Sequence, residues 1–340
     1  MKLSKSGLIA GFIFAALLMF YSTGFSQKAG KNNIKDTIKD IQALIDQSGG
    51  RWVAGETSLS NLSWNEWLNY VGLDFEPVNA PGVSGLSDVV TPSFLDWRDF
   101  GGDYVTEIRN QAKCGSCWAF AMTGGLESYA LLIEKKPGVD LDLSEQIMLS
   151  CSGVGSCSGG RLNARYLEKT GLPPEEYYPY TATNGKCSNA TDGWQEKTYK
   201  IGDWGSVSRD LASLKAALVK YGPLPTAMMV YEDFMHYKSG IYSHVTGRRL
   251  GGHAILLIGY SDEEKYFIVK NSWGTKWGEN GFFRIDYSQI KYPVYFGLST
   301  IAYYDEDGNG APASYEGHDS IGGTEPWLRA APMFESLLKW

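Results

Sequence analysis

Cys117 and its neighbours have the residue types needed for thiol chemistry. Cys114 precedes it by three positions, and an apolar run begins at Trp118. The run predicts a helix over residues 118 to about 133, with Ser116 as its N-cap. The thiolate is the reactive form of cysteine, and a helix start favours an anion by roughly 0.3–1 kcal/mol. The pattern therefore indicates Cys117 as a nucleophile.

Two other interpretations of these cysteines remain open at this point. Cys114 and Cys117 form a C-x-x-C pair, which is also typical of redox proteins. Together with Cys151 and Cys157 they could instead form a zinc cluster. The rest of the chain has to distinguish these three kinds of site.

A cysteine nucleophile needs a base, and only four histidines are present. His253 begins a predicted apolar strand over residues 253–260, from which an imidazole can be aimed rigidly. His236 and His244 lie in polar sequence and His318 lies near the C-terminus, so we expect all three at the surface.

Asn271 is the candidate that would orient this base. Its amide oxygen can accept a hydrogen bond from one imidazole nitrogen, which leaves the other nitrogen for the thiol. Trp273 and Trp277 follow and could keep water away from that bond. A capped turn at Asn271 and ordinary core packing of the two tryptophans are the alternative interpretations.

The N-terminus has the pattern of a secretory signal. Lys2 and Lys5 precede an apolar run over residues 8–21, and small residues follow up to Ser26. A run of about 14 residues is short for a membrane span of roughly 20. We predict a signal peptide over residues 1–26, with a retained membrane anchor as the alternative.

The chain has five cysteines. If it is exported to an oxidising compartment, we expect two disulfide bridges and one unpaired thiol. The net charge of −7 and the lack of a basic block argue against nucleic acid as a partner.

The secondary-structure pattern of the N-terminal residues differs from that of the rest of the chain. Residues 27–90 contain a predicted amphipathic helix over 33–48, a short helical piece over 65–71 and an extended linker over 74–91, which together suggest a propeptide. A retained N-terminal subdomain is the alternative.

The rest of the chain has a helical part followed by a strand-rich part. Helix signals dominate from 92 to about 190, including 145–149 after Ser144. Beyond 200, a helix over 211–221 is followed by strand patterns at 226–230, 253–260, 265–270 and 281–286. We expect an α+β fold whose helical half and barrel-like sheet half form two subdomains with a cleft between them.

Several motifs in this order resemble the papain family of cysteine proteases. They span about residues 92–301 and are Asp96-Trp97-Arg98, the stretch from Gln111 to Phe120, Cys157-Ser158-Gly159-Gly160, Gly252-His253-Ala254 and the stretch from Asn271 to Gly281. The resemblance makes the redox and zinc interpretations much weaker. It implies a peptidase domain over residues 91–304, no cofactor, a monomer, and protein or peptide substrates.

The resemblance also implies a role for each matching residue. Cys117 would attack the scissile carbonyl, His253 would carry the proton, and Asn271 would orient His253. Gln111 would bind the oxyanion together with the Cys117 backbone N–H. Bridges Cys114–Cys157 and Cys151–Cys187 would leave Cys117 free.

The substrate site is likewise implied by the resemblance. Gly159 and Gly160 would present backbone to the peptide, and Trp273 would also contact substrate. The pocket for the residue before the cleaved one would be apolar, which predicts a bulky hydrophobic preference; its lining residues would be Leu162, Ala227, Ala254 and Ile301.

Departures from the family pattern qualify this picture. Arg161 stands where an aromatic residue is common, and Gly252 where a polar one is often found, which suggests a wider pocket. The propeptide looks like the short cathepsin B type, yet no His-His occluding loop follows Cys187. We therefore expect an endopeptidase, secreted or periplasmic (lysosomal as the alternative), inhibited by its own propeptide and free of membrane contact after signal cleavage.

The tail over residues 305–340 lies outside the resemblance. Its residues Asp305, Asp307, Asn309 and Glu316 have the spacing of a calcium loop, but Pro312 and the lack of clear flanking helices favour a solvated acidic turn. Residues 327–340 could form a short amphipathic helix. Two rival functions remain on the same fold: a catalytically silent binding module, and a hydrolase or transpeptidase of cell-wall peptides.

Overall fold

The chain folds into two halves, one built around a long central helix and the other around the main sheet. A computed structural model describes residues 33–310. The helices are α1 (Ile34–Ser48), α2 (Trp64–Trp67), α3 (Cys117–Glu134), α4 (Glu145–Cys151), α5 (Arg165–Lys169) and α6 (Leu211–Tyr221). The strands are β1 (Arg51–Ala54), β2 (Phe94–Asp96), β3 (Gly155–Ser156), β4 (Gly159–Gly160), β5 (Asp203–Ser206), β6 (Leu224–Tyr231), β7 (Tyr237–Tyr242), β8 (Arg249–Ser261), β9 (Tyr266–Lys270), β10 (Phe282–Asp286) and β11 (Ile301–Tyr304).

Seven strands form the main sheet. Their order is β1-β7-β10-β9-β8-β2, and β6 also pairs with β8. Every pair is antiparallel except β7 with β10. Strand β8 is buried along nearly its whole length, which explains its long apolar run. The strand begins at Arg249, four residues before the predicted start, because the pairing with β6 continues through Gly251 and Gly252.

Two separate hydrophobic clusters correspond to the two halves. The first surrounds α3, of which sixteen residues from Cys117 to Leu132 are buried. The second joins the main sheet to α6 and includes Trp277, Phe267 and Phe283. Each half therefore has its own core, as the predicted α+β, two-subdomain papain-like fold requires. Helix α3 and strand β8 meet between the halves, where Leu256 lies beside Gly124.

Residues 33–90, called here the N-terminal segment, fold onto the sheet half. Helix α1 ends at Gly49, whose left-handed backbone (φ 69°) allows a tight turn into β1. Strand β1 extends the main sheet by pairing with β7, and Trp52 is buried there. Neither β1 nor β7 is among the predicted strands. Helix α2 and a 3₁₀ turn over Leu68–Tyr70 occupy the predicted helical piece at 65–71.

Some predictions concern residues that the structure does not describe. The signal peptide at 1–26 lies outside residues 33–310, as do Glu316, His318 and the possible helix at 327–340. Among the described helices, none combines the length and the apolar character needed to cross a bilayer.

Candidate active site

Cys117 lies at the first position of α3 and is buried. Ser116 occupies the N-cap position, but its side chain does not cap the helix as predicted. Its hydroxyl instead bonds the Tyr180 hydroxyl at 2.6 Å, a partner that the sequence pattern does not reveal. Burial raises the pKa of the Cys117 thiol, and the backbone N–H groups of Trp118 and Cys117 itself oppose this rise only in part.

His253 and Asn271 are joined by a buried hydrogen bond. His253 Nε2 lies 2.7 Å from Asn271 Oδ1, and Ser272 N donates to the same oxygen at 2.8 Å. The Trp273 ring stacks on the imidazole with centroids 4.5 Å apart. This arrangement favours the tautomer in which Nε2 carries the proton, so that Nδ1 is the nitrogen left for another group.

The thiol and the imidazole are both shielded from water. Desolvation raises the pKa of Cys117 to about 12 and lowers the pKa of His253 to about 4, so burial favours the neutral form of each. Among the described residues, His253 Nδ1 has no hydrogen-bond partner, and Cys117 is the only cysteine outside a disulfide. The backbone N–H of Ala254, next to His253 on β8, faces the Cys117 sulfur and brings the two elements together.

Gln111 lies against the loop that precedes Cys117 and is fully buried. Its Nε2 donates to Cys114 O at 2.8 Å and to Tyr70 O at 3.4 Å, while its Oε1 accepts from the Ser272 hydroxyl at 2.7 Å. Tyr70 belongs to the N-terminal segment, and its carbonyl oxygen also accepts from Trp273 Nε1 at 3.2 Å. The Gln111 side-chain amide, which was predicted to bind an oxyanion, thus donates a hydrogen bond to a carbonyl oxygen of the N-terminal segment.

Two disulfides connect the loops around this cluster. Cys114 is bridged to Cys157 and Cys151 to Cys187. The first bridge ties the loop before α3 to the loop that carries Gly159 and Gly160, and Gly115 N donates to Cys157 O at 2.8 Å.

The N-terminal segment passes through the cleft in extended form. Gly160 N donates to Gly72 O at 2.9 Å, and Asp74 N donates to Gly160 O at 2.8 Å. On the opposite wall, Gly72 N and Leu73 N both donate to Gly252 O, at 2.9 and 3.0 Å. The segment is therefore held between the two halves by backbone hydrogen bonds.

The predicted pocket residues lie together and are buried. Leu162, Ala227, Ala254 and Ile301 belong to one apolar cluster. Leu73 of the N-terminal segment is in the same cluster and is 6% exposed. An aliphatic side chain of the N-terminal segment therefore belongs to the same apolar cluster as the residues expected to line the substrate pocket.

Gly252 has a structural reason to lack a side chain. A Cβ atom added there would overlap the Phe75 ring and approach Leu73 O to 2.7 Å. Both of those residues are in the N-terminal segment. The glycine that departs from the family pattern is thus the surface against which the segment packs.

Sequence reasoning missed several residues that support this site. Ser272 holds Gln111, and its position next to Asn271 was the available signal. Behind the cluster, buried Lys270 donates to Thr106 Oγ1 at 2.8 Å, and Thr106 donates to Glu127 at 2.5 Å. Burial raises the pKa of Glu127 and lowers the pKa of Lys270.

The surface assignment of His236 is wrong. His236 is 1% exposed and its Nδ1 lies 2.9 Å from Ser60 Oγ of the N-terminal segment. Trp67 of the same segment packs edge-on against the ring. His244 is also partly covered, with Nδ1 3.1 Å from the Asp233 carboxylate. Contacts with the N-terminal segment, distant in sequence, bury the His236 ring, whereas the His244 ring remains partly exposed.

The acidic residues of the calcium hypothesis form a turn as far as they are described. The Asp305 carboxylate accepts from Asp307 N at 3.0 Å and from Asn309 N at 2.8 Å. These bonds use Asp305 as a turn cap. Among the residues of 33–310, no group of three His, Cys, Asp or Glu side chains is arranged to hold a metal ion.

Comparison with known proteins gives a consistent result. Residues 91–299 match the model of the papain family of cysteine proteases. Ananain of Ananas comosus is 34% identical over 264 residues, which cover 74% of this chain and 73% of ananain. A cathepsin L-like proteinase of Fasciola hepatica is 41% identical over 245 residues, or 66% of this chain and 73% of that protein.

Solved structures of precursors have the same fold. The recombinant stem bromelain precursor superposes with a TM-score of 0.66 at 31% identity, covering 80% of this chain and 90% of that chain. The proCathepsin B S9 of Trypanosoma congolense gives a TM-score of 0.70 at 24% identity, covering 79% and 97%. With a family match over most of its length and relatives above 30% identity, the chain belongs to the papain family of cysteine proteases.

Proposed function

We propose that this papain-family protease cleaves peptide bonds with Cys117 as nucleophile, His253 as proton carrier and Asn271 as the residue that orients His253. The observation that carries the proposal is the 2.7 Å contact between His253 Nε2 and Asn271 Oδ1. It leaves Nδ1 as the imidazole nitrogen available to the unpaired Cys117.

The chemistry proceeds by acyl transfer. The thiol proton moves to His253 Nδ1, and the sulfur attacks the carbonyl carbon of the scissile bond. The Gln111 side-chain amide and the Cys117 N–H stabilise the oxyanion of the tetrahedral intermediate. As the C–N bond breaks, His253 donates the proton to the leaving amine. Water then hydrolyses the thioester and regenerates the thiol.

We further propose that residues 27–90 are a propeptide and that residues 91–304 are the peptidase domain. Two features support inhibition by the propeptide: the backbone bonds to Gly160 and Gly252, and the Tyr70 carbonyl beside Gln111. Its removal would readmit water and substrate to Cys117 and His253, which favours the thiolate–imidazolium pair that burial now opposes.

The substrate preference follows from the apolar cluster that Leu73 shares with Leu162, Ala227, Ala254 and Ile301. An apolar, buried pocket favours a bulky hydrophobic residue before the cleaved one and disfavours arginine, because burying an unpaired charge is costly. Gly159, Gly160 and Trp273 would contact the substrate backbone. No carboxylate stands at position 301 to receive a cation.

A fluorogenic dipeptide panel tests this function. The enzyme released from the full chain should cut Leu-Arg and Phe-Arg substrates at least about tenfold faster than Arg-Arg. The Cys117→Ala chain, treated identically, should cut none of them. Faster cleavage of Arg-Arg would refute the pocket assignment, and unchanged cleavage by Cys117→Ala would refute the nucleophile.

The cellular location is part of the same proposal. The signal pattern at residues 1–26 and the bridges Cys114–Cys157 and Cys151–Cys187 support export to an oxidising compartment, outside the cell or in a periplasm. Without an occluding loop, the enzyme should act as an endopeptidase. Mass spectrometry of products from a long peptide checks this, since removal of C-terminal dipeptides alone would contradict it.

A further inference from the structure

Arg161 is a charged residue at the rim of the cleft that the proposed mechanism does not use. It follows Gly160, which binds the extended N-terminal segment, and precedes Leu162 of the apolar pocket. Its guanidinium forms an ion pair with the Glu76 carboxylate of the N-terminal segment. Arg161 is about half exposed, so its head group is at the solvent edge of the cleft.

The contacts of the N-terminal segment show the order in which Cys117, the apolar cluster and Arg161 follow one another along the cleft. Gly72 N faces the Cys117 sulfur, Leu73 lies in the apolar cluster, and Glu76 reaches Arg161. Moving from Gly72 to Glu76 therefore means moving away from the reacting sulfur and past the pocket. Asp74, one residue beyond Leu73, bonds Gly160, and the segment then turns, because Glu76 N donates back to Asp74 O at 3.0 Å. An extended substrate therefore reaches Arg161 sooner than the segment does, with its third or fourth residue before the cut bond.

The surroundings of Arg161 form a groove of positive character. A groove of about 350 Å³ is lined by Arg161 and Arg165, together with Leu162 and Asn163 of the body and Glu76, Pro77 and Asn79 of the N-terminal segment. Glu76 is the only acidic residue lining it, and it belongs to the segment rather than to the body. Removal of the segment would leave two arginines without that carboxylate, although the chain as a whole carries a net charge of −7.

We propose that Arg161, with Arg165 beside it, is a specificity site for an acidic substrate side chain at the third or fourth residue before the cut bond. Glu76 occupies this site in the intact chain as the chain's own acidic ligand. The inference rests on the proposed function, because it assigns a substrate class to the same cleft. Carboxylates suit this site because a guanidinium can donate two parallel hydrogen bonds to them.

The expected size of the preference is modest. Exposed ion pairs are weak, so a Glu peptide should have a kcat/KM about threefold to fivefold above that of the matched Gln peptide. Salt screens exposed charges, so this ratio should approach one in 1 M NaCl.

The test uses enzyme released from the full chain and peptides with Leu in the pocket position. Glu, Gln and Lys are placed in turn at the third and at the fourth position before the cut bond. The variants are Arg161→Gln, Arg161→Glu, and Lys291→Gln as a charge-matched control at an exposed residue. We expect the Glu preference to disappear in Arg161→Gln, to change to a Lys preference in Arg161→Glu, and to persist in Lys291→Gln.

A binding measurement separates failure of this inference from failure of the proposed function. Labelled peptides are titrated into the Cys117→Ala protein after an added protease has removed the N-terminal segment, and fluorescence anisotropy is read. A higher affinity for Glu than for Gln that depends on Arg161 supports the site even if no peptide is cut. Equal affinities for Glu and Gln, or a preference unchanged by Arg161→Gln, overturn the inference while cleavage of the Gln peptide still supports the protease.

Discussion

His253 and Asn271 form a buried polar contact in the candidate active site, with Nε2 2.7 Å from Oδ1 beneath the stacked Trp273 ring. The two residues come from neighbouring strands: β8 carries His253, and Asn271 follows the end of β9. The contact determines which imidazole nitrogen remains for Cys117.

The first prediction concerns this contact. Replacing Asn271 by Ala should lower kcat by at least about tenfold, because the imidazole loses the partner that selects its tautomer. KM should change little, since Asn271 is buried beneath the cleft. Steady-state kinetics with a Leu-Arg substrate measures both constants. A variant that raised KM while leaving kcat unchanged would show that Asn271 acts in binding instead.

Gln111 provides the second prediction. Gln111→Ala should reduce kcat by about 10²–10³ with KM nearly unchanged, as expected for an oxyanion donor. Ser272→Ala is the matched control, because it removes only the 2.7 Å bond that holds Gln111 Oε1. It should cause a smaller loss. Equal losses in the two variants would indicate that Gln111 acts mainly through its structural bonds.

The third prediction concerns Gly72, where the N-terminal segment crosses the nucleophile loop. A Cβ atom at Gly72 would overlap the backbone of Gly115, which a side-chain movement cannot relieve. Gly72→Ala should therefore weaken docking of the segment and raise the activity of the unprocessed chain. Gly82→Ala is the control, because a Cβ there meets no atom within 4 Å.

Zymogen activity is measured in the first minutes after purification, before processing, and gel electrophoresis verifies that the segment is intact. Equal latency in the Gly72→Ala and Gly82→Ala chains would contradict the role of this crossing.

The fourth prediction is a pH dependence at His236. Burial lowers the pKa of His236 in the docked state, although Asp233 and Glu232 act in the opposite direction. Below about pH 6.5, the ordinary pKa of histidine, His236 takes up a proton more readily when the segment is undocked than when it is docked. Docking through Ser60 should therefore be full above about pH 6.5 and weaken as the pH falls below it.

Thermal melting of the Cys117→Ala chain between pH 7.5 and 5.5 measures this effect. His253 contributes with the same sign, since its pKa is lowered to about 4. The comparison with His236→Gln isolates His236, because glutamine keeps a hydrogen-bond acceptor and does not titrate. That variant should lose less stability on acidification than the parent. His244→Gln, which changes a histidine that contacts Asp233 rather than the segment, is the control.

The helices and central strands could be predicted because their signals are local. The apolar runs of α3 and β8 and the glycine after α6 identify those elements directly. Strand β1 could not be found in this way. It has four residues between glycines, and it is a strand because β7, almost 190 residues later, offers an unpaired edge.

The candidate active-site residues could be proposed from the sequence because each lies within a motif with its own spacing. The path of the N-terminal segment could not, since its bonds to Gly160 and Gly252 are made by backbone groups and involve no characteristic side chain. His236 was misassigned for a related reason. Its ring is buried by Ser60 and Trp67, which lie more than 160 residues away along the chain.

Active-site labelling of the processed enzyme with an epoxysuccinyl inhibitor, followed by peptide mapping, tests the pair of Cys117 and His253 most directly. We expect one label per molecule, on Cys117, formed with a rate that falls strongly in His253→Ala and vanishes in Cys117→Ala. Labelling at another residue, or a rate unchanged by His253→Ala, would contradict the proposed pair of Cys117 and His253.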